Sequence, residues 1–271
     1  MTPRLGLNGA TLPNSDLLTG IRAASDAGFE FYEPRIPRLL EVDNPEGRDQ
    51  VREVIGKTGL KWLPINALEG VFSLDESSLV KTAESVFALA KRFSIGQVIA
   101  VPGSVPEPVG RTEAIATLGR LKAIAAQYDV RLLYELIGFG HHAFPSLGEA
   151  RQVAQGAGLP LVLDTFHIAV SETPLEEISD LDTDEIGLVH LSDAIVGNRS
   201  VIEINDADRV LPGEGDLPLA SLLTAIAKSG YQGPLSVEVF HPKYGTHDPD
   251  QVAGEALRRA KDLAAAAGVK L

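Results

Sequence analysis

The chain has 271 residues, with 24 Lys and Arg against 37 Asp and Glu, which gives a formal net charge of −13. A hydrophobic content of 44% is normal for a globular protein, and the absence of cysteine excludes disulfides, thiolate metal sites and a cysteine nucleophile. The acidic balance argues against nucleic acid and anionic membrane surfaces as partners, because both select clustered Lys and Arg.

The N-terminal segment runs directly into a strand-like pattern at Leu5–Asn8 and lacks the apolar core of a signal peptide. No stretch approaches the ~18 consecutive apolar residues of a membrane span. We therefore expect a cytoplasmic protein. No linker or charge break divides the sequence, so residues 1–271 are predicted to form a single domain.

Short β-rich runs alternate with helical patterns along the chain. The predicted strands, in order, are Leu5–Asn8, Phe29–Glu33, Lys61–Asn66, Gln97–Val101, Arg131–Leu136, Leu161–Asp164, Gly187–Leu191 and Ser236–Phe240. The clearest helical patterns are Ser15–Ala27, Glu76–Phe93, Thr112–Tyr128, Asp216–Ser229 and Asp248–Ala267, and a glycine follows most of them, as is common after a last helical turn.

Eight strands and about eight helices in 271 residues give roughly 34 residues per unit, which is typical of an α/β fold of the (β/α)8 TIM-barrel type. The rival is a doubly wound open sheet. Its common form has a G-x-G-x-x-G fingerprint after the first strand, where this chain has Asn8-Gly-Ala-Thr11. The pattern therefore favours one closed barrel.

Each of the last four predicted strands carries an ionisable residue at or near its C-terminal end, which is where TIM barrels place their chemistry. These residues are Glu135, Asp164, His190 and Glu238, spaced 29, 26 and 48 residues apart, and the last interval contains a loop insertion at Asn198–Pro212. Three converging carboxylates would repel one another unless a cation lies between them. Any one of them alone is more simply a structural ion pair. Four on consecutive strands favour a divalent metal site of oxygen and imidazole ligands, suited to Mn²⁺, Mg²⁺ or Co²⁺.

Three further residues are candidates for binding substrate. His167 lies three residues after Asp164, Arg209 lies in the inserted loop and Asn66 ends the third predicted strand. Each also has a structural interpretation: His167 as a capping or core residue, Arg209 as a surface residue and Asn66 as a turn cap. His141 and His142, in a glycine-bearing loop, are interpreted as loop or interface residues.

These residues carry a resemblance to a known family. The chain resembles the sugar-phosphate isomerase/epimerase superfamily of xylose isomerase-like barrels, and within it the inosose (2-keto-myo-inositol) isomerases of inositol catabolism. The matching stretches keep their order across nearly the whole chain: Asn66-Ala-Leu68, Val98-Ile-Ala-Val-Pro102, Leu161-Val-Leu-Asp-Thr-Phe-His167, His190-Leu-Ser-Asp193, Asp206-Ala-Asp-Arg-Val-Leu-Pro-Gly-Glu-Gly215 and Leu235-Ser-Val-Glu-Val-Phe-His-Pro-Lys-Tyr244. The chain departs from the family at His241, where Arg is expected, and in the loop Gly138–Phe144.

The resemblance implies one divalent metal ion (Mn, Mg, Co or Zn) held by Glu135, Asp164, His190 and Glu238, with His167 and Arg209 facing the substrate. It implies an isomerase or epimerase of a ketose or inosose that acts through a metal-stabilised enediolate. Our hypothesis makes Glu135 and Glu238 the acid/base pair as well as metal ligands. Such barrels often form dimers through their loop ends, so a homodimer is one expectation.

Other activities remain open on this barrel. A lyase similar to 3-dehydroshikimate dehydratases would use the same enolate chemistry to lose water, and a ketose 3-epimerase is also close. A DNA-repair nuclease of the AP-endonuclease type would need more His and Asp ligands and a basic groove, and the chain has only six histidines and an acidic balance. A non-catalytic sugar- or metal-binding barrel is the remaining alternative.

Overall fold

Most of the strands form one parallel sheet that closes into a barrel. The computed structural model describes residues 4–105 and 107–271. Its strands are β1 (Leu5–Asn8), β2 (Phe31–Glu33), β3 (Lys61–Trp62), β4 (Ile65–Leu68), β5 (Gln97–Ala100), β6 (Arg131–Glu135), β7 (Leu161–Asp164), β8 (Ile186–Leu191), β9 (Asp193–Ala194), β10 (Arg209–Val210) and β11 (Leu235–Val237). Nine of them pair in the order β3-β2-β1-β11-β8-β7-β6-β5-β4.

The two ends of that order are neighbours in the chain. Segment 61–68 contains both β3 and β4. β3 pairs with β2, and β4 pairs with β5, so this one segment connects the two ends of the sheet and closes the barrel. The predicted (β/α)8 barrel is thereby confirmed, with its third strand divided in two. The predicted eighth strand is shorter than expected and ends at Val237, since the N–H of Val239 donates to the hydroxyl of Thr11 rather than to a neighbouring strand.

Helices cover the outside of the barrel. They are α1 (Leu17–Ala27), α2 (Ile36–Glu41), α3 (Pro45–Thr58), α4 (Glu76–Arg92), α5 (Arg111–Ala126), α6 (Leu147–Ala157), α7 (Thr165–Val170), α8 (Leu175–Ser179), α9 (Leu219–Lys228) and α10 (Pro249–Ala266). Gly28 ends α1 in the left-handed conformation, as its position predicts, whereas Ser94 and not Gly96 takes that conformation after α4. Among the described residues no helix is long and apolar enough to cross a membrane.

The strands are buried on both faces, which explains their continuous apolar runs. One face packs against the helices. The other faces the barrel axis, where a compact cluster takes residues from successive strands, among them Phe31, Leu133, Val162 and Leu188. Because side chains alternate along a strand, residues two positions later also point inward, at the C-terminal mouth. This register places the predicted site residues at one end of the barrel axis.

The inserted loop between β8 and α9 folds back over that mouth. Two 3-10 turns, Val201–Glu203 and Asp206–Asp208, lead into β10, which pairs antiparallel with β9. The pairing places Arg209 opposite Ala194, at the end of the barrel where the strands finish. The insertion therefore contributes side chains to the site as well as connecting the strands.

Candidate metal centre and active site

The four predicted metal ligands meet at the barrel mouth. Glu135 ends β6, Asp164 ends β7, His190 lies in β8 and Glu238 directly follows β11, and all four are buried. One ligand atom from each lies within 4.8 Å of the others. The alternation of the strands produces this convergence, since Glu135, Asp164 and His190 each follow an axis-facing residue by two positions.

The electrostatics of this cluster suit a cation. Nδ1 of His190 lies 3.1 Å from Oε1 of Glu135 and 3.2 Å from Oε2 of Glu238. Burial raises the pKa of Glu135 to about 7, whereas His190 holds the pKa of Glu238 below its usual value despite burial. Burial alone would lower the pKa of His190, but Glu238 and Glu33 raise it well above its usual value. The cluster thus attracts positive charge, and its oxygen and imidazole donors fit a divalent metal ion.

A fifth carboxylate, Glu33 at the end of β2, belongs to the same site and was missed by the sequence analysis. Its oxygens lie 3.0 and 3.2 Å from Nε2 of His190, and it is completely buried. The signal that identified the other ligands was available here, because Glu33 also ends a predicted strand.

Two asparagines hold one oxygen of Glu238. The side-chain amides of Asn8 and Asn66 donate to its Oε1 at 2.9 and 2.8 Å, and the same amide of Asn66 also donates to Glu33 at 3.2 Å. The other oxygen, Oε2, is the one that faces His190. The structure therefore places Asn66 at the site with its N–H groups directed to carboxylates. Its role in binding substrate stays a prediction.

Arg209 is buried at the centre of a polar network. Its Nη1 donates to Asp164 at 2.5 Å and to Ser192 at 2.9 Å, and its Nε donates to Asp206 at 2.8 Å. The guanidinium also lies 4.1 Å above the ring of Phe166. A surface position for Arg209, the alternative considered from the sequence, is wrong, because the inserted loop turns the side chain inward to neutralise Asp164.

His167, in α7, lies beside Arg209 and is neutral. Because arginine can only donate, its Nη2 donates to Nε2 of His167 at 3.1 Å, so Nδ1 carries the proton of the ring. Burial, reinforced by the charge of Arg209, lowers the pKa of His167 to about 3. Its Nδ1 is buried and has no hydrogen-bond partner among the described residues. This N–H is available to an oxygen atom of a ligand.

The buried carboxylate of Asp193 organises the loop that carries Arg209. Its Oδ2 accepts from the backbone N–H groups of Gly213 and Gly215, both at 3.0 Å, and its Oδ1 accepts from Ala194 at 2.8 Å and Leu217 at 3.0 Å. A Cβ atom at Gly215 would lie 2.3 Å from the carbonyl oxygen of Ala194, so glycine is required there. Through these hydrogen bonds Asp193 holds the segment Asp206–Gly215 against the end of β8, so the two segments are fixed relative to each other.

A cavity of about 1210 Å³ opens above the cluster. Glu135, His167, Arg209, Glu238 and Asn66 all line it, so the predicted catalytic and substrate-binding residues share one space. Its wall also includes Phe139, whose ring stacks on His141 with centroids 5.6 Å apart, and the adjacent His142. His141 and His142 lie in the wall of the cavity and outside the four-residue cluster, so they are not ligands there.

The charges at the cavity opening are mixed. Glu69, Glu172 and Asp206 supply carboxylates, and the guanidinium of Arg35 lies 4.9 Å above the ring of Phe240. The Arg35 guanidinium forms no hydrogen bond or ion pair within 4 Å among residues 4–105 and 107–271, although its charge helps to lower the pKa of Glu238. The cavity therefore offers a ligand both acceptors and one unpaired cation.

Comparisons with known proteins agree with this architecture. The chain is 28% identical to an inosose isomerase of Halalkalibacterium halodurans over 263 residues, covering 93% of this chain and 91% of that protein. It is 30% identical to a 3-dehydroshikimate dehydratase of Pseudomonas aeruginosa over 254 residues, which cover 92% of this chain and 39% of that longer protein. A crystal structure of the IOLI protein with a bound zinc atom superposes with a TM-score of 0.87 at 24% identity, covering 96% of this chain and 97% of that one.

The relatives support an enzyme of the isomerase/epimerase type. The family description "Xylose isomerase-like TIM barrel" matches residues 21–271, which is most of the chain. The resemblance inferred from the strand-end residues is therefore confirmed. The chain belongs to the xylose isomerase-like TIM barrel family.

Proposed function

We propose that the chain is an isomerase or epimerase of an inosose or ketose that depends on one divalent metal ion. The observation that carries the proposal is the position of Glu135 and Glu238, two carboxylates that both contact Nδ1 of His190 and both line the cavity. Two such groups beside one bound substrate allow one to remove a proton and the other to return it, at the neighbouring carbon or on the opposite face. The similarity to inosose isomerases supports the choice of substrate class.

Glu135, Asp164, His190 and Glu238 are the residues that would hold the metal. When bound, a divalent cation polarises a carbonyl oxygen and makes the neighbouring C–H more acidic. Arg209 contributes by donating to Asp164, which fixes the orientation of one ligand.

Glu238 acts as one proton carrier through a defined atom. Because Asn8 and Asn66 occupy its Oε1, proton transfer takes place at Oε2. Glu135 acts as the second carrier, because its carboxylate lines the same cavity and faces the same ring nitrogen of His190. One group then removes a proton while the other returns it.

His167 and Arg209 bind the oxygens of the substrate. The Nδ1–H of His167 has no hydrogen-bond partner in the part of the chain that the structure describes. Arg209 uses four of its five N–H groups on Asp164, Ser192, Asp206 and His167. One N–H of Arg209 therefore remains for a substrate oxygen. Because His167 stays neutral, it donates without adding positive charge to the site.

The test is a panel of inososes and ketoses with Mn²⁺, Mg²⁺ and Co²⁺, read by incorporation of solvent deuterium. Glu238→Gln at saturating metal is expected to lower the exchange rate by about 10²–10⁴-fold, the usual contribution of a general base. Glu69→Gln is the matched control, because Glu69 lines the same cavity but is exposed and lies outside the cluster. If Glu238→Gln retains the metal and near-normal turnover, the assignment is wrong.

A dehydratase acting on 3-dehydroshikimate is the second candidate. The 30% identical Pseudomonas relative favours it, and the unpaired guanidinium of Arg35 offers a partner for a substrate carboxylate. The carboxylates at the opening favour a neutral polyol instead. Incubating the metal-loaded protein with 3-dehydroshikimate separates the two, since only dehydration produces a strongly absorbing aromatic product.

A further inference from the structure

Glu33 has no role in the reaction as proposed, yet it is one of the most enclosed charged side chains of the site. It is completely buried, and its partners are His190 Nε2, the hydroxyl of Ser236 at 2.7 Å and the amide of Asn66 at 3.2 Å. No Lys or Arg pairs with it among the described residues. Its charged partner among the described residues is His190, so the buried carboxylate of Glu33 is tied to the position of that ring.

The contact with His190 has a consequence for the metal site. The two ring nitrogens face different groups, with Nε2 directed to Glu33 and Nδ1 directed to Glu135 and Glu238. A carboxylate beside Nε2 keeps a hydrogen on that nitrogen, because the oxygens can only accept. Nδ1 also faces carboxylates, those of Glu135 and Glu238, so in the metal-free site it carries a hydrogen as well. A cation bound where these carboxylates converge would displace the Nδ1 hydrogen, while Glu33 keeps the hydrogen on Nε2.

We propose that Glu33 is a positioning residue that fixes the ring orientation and tautomer of His190, so that Nδ1 is the metal-binding atom. The inference rests on the metal site proposed above and deepens it. Ser236 and Asn66 hold the carboxylate of Glu33 in place, which forms a chain of contacts from β11 and segment 61–68 to the imidazole. Such partners of ligating histidines commonly control metal affinity.

The test measures Zn²⁺ binding by calorimetry and, in the diamagnetic Zn²⁺ form, the Nε2–H proton signal of His190 by NMR. Glu33→Gln is expected to weaken Zn²⁺ affinity by about 10–100-fold. It should also shift the Nε2–H signal and speed its exchange with water, because a neutral amide is a weaker acceptor than a carboxylate. A residue that only supports the fold would leave this signal in place.

Two further variants keep the test decisive. Ser236→Ala removes only the 2.7 Å contact to Glu33 and should produce a smaller change in the same direction, which decides the matter if Glu33→Gln does not fold. Glu30→Gln, at an exposed glutamate three residues earlier, should leave both readouts unchanged.

The two proposals fail in distinguishable ways. If the wild type binds no divalent metal, the proposed function fails. If the wild type binds Zn²⁺ and Glu33→Gln folds and matches the wild type in affinity and in the Nε2–H signal, only the role of Glu33 is overturned. If Glu33→Gln does not fold, the same conclusion follows when Ser236→Ala matches the wild type in both measurements.

Discussion

Replacing Asp193 by Asn tests whether one buried carboxylate supports the loop that carries Arg209. Both oxygens of Asp193 accept two backbone N–H groups each, from Gly213 and Gly215 on one side and from Ala194 and Leu217 on the other. An asparagine has one acceptor oxygen. Whichever way the amide is turned, its NH₂ group faces two N–H donors, and those two hydrogen bonds are lost.

The cost follows from the contacts. Hydrogen bonds to a charged acceptor are worth about 1.5–3 kcal/mol each, so losing two destabilises the protein by about 3–6 kcal/mol. For a chain of this size 1 kcal/mol corresponds to about 2–4 °C in Tm, so the melting temperature should fall by about 6–24 °C. Activity should fall as well, because β10 carries Arg209 and is paired with β9, which begins at Asp193.

The assay is thermal unfolding followed by circular dichroism, with urea unfolding as the second measurement. Asp216→Asn is the matched control: it lies in the same loop but is exposed, and a single oxygen accepts from the N–H groups of Val196 and Gly197. One amide oxygen can replace it, so its effect on Tm should be much smaller. If the two variants melt at the same temperature, the reasoning from the paired acceptors of Asp193 is refuted.

Three further predictions follow from the same structure. Adding Mn²⁺ at 100 times its Kd should stabilise the protein by about 2.7 kcal/mol, because the ion binds the clustered carboxylates of the folded state and not the unfolded chain. EDTA should reverse this effect, and equal melting temperatures in Mn²⁺ and in EDTA would contradict it. Arg209→Met should cost about 3–5 kcal/mol in urea unfolding, since it leaves the buried carboxylate of Asp164 without its cation and removes the contacts to Ser192 and Asp206. A loss below about 1 kcal/mol would show that these contacts matter little. The hydrogen bond from the Arg151 guanidinium holds the pKa of Glu185 below its usual 4.5. The stability that this pair contributes is therefore present above pH 4.5 and is lost as the pH falls through the lowered pKa, so the difference in free energy of unfolding between wild type and Glu185→Gln should shrink in acid. A difference that stays constant with pH would count against this reasoning.

Much of the barrel could be predicted from local pattern. Strands such as Leu161–Asp164 show continuous apolar runs because both of their faces are covered, and two predicted strands match the structure residue for residue. Helix α3 was not recognised, since little of it is buried and its sequence carries few apolar residues. The division of the third strand was also missed, because local sequence does not show where a strand changes partners.

The metal ligands could be predicted because parallel strands finish at one edge, so a polar residue at each strand end is enough to indicate convergence. The sequence by itself thus determined the barrel, the four converging residues and the kind of donor atoms available. Only the tertiary structure decided that Glu33, 157 residues away along the chain, contacts His190, and that Arg209 points inward. It also decided which nitrogen of His167 carries the proton. The physical reason is that these properties depend on the direction of side chains across the closed barrel, and spacing along the chain does not specify that direction.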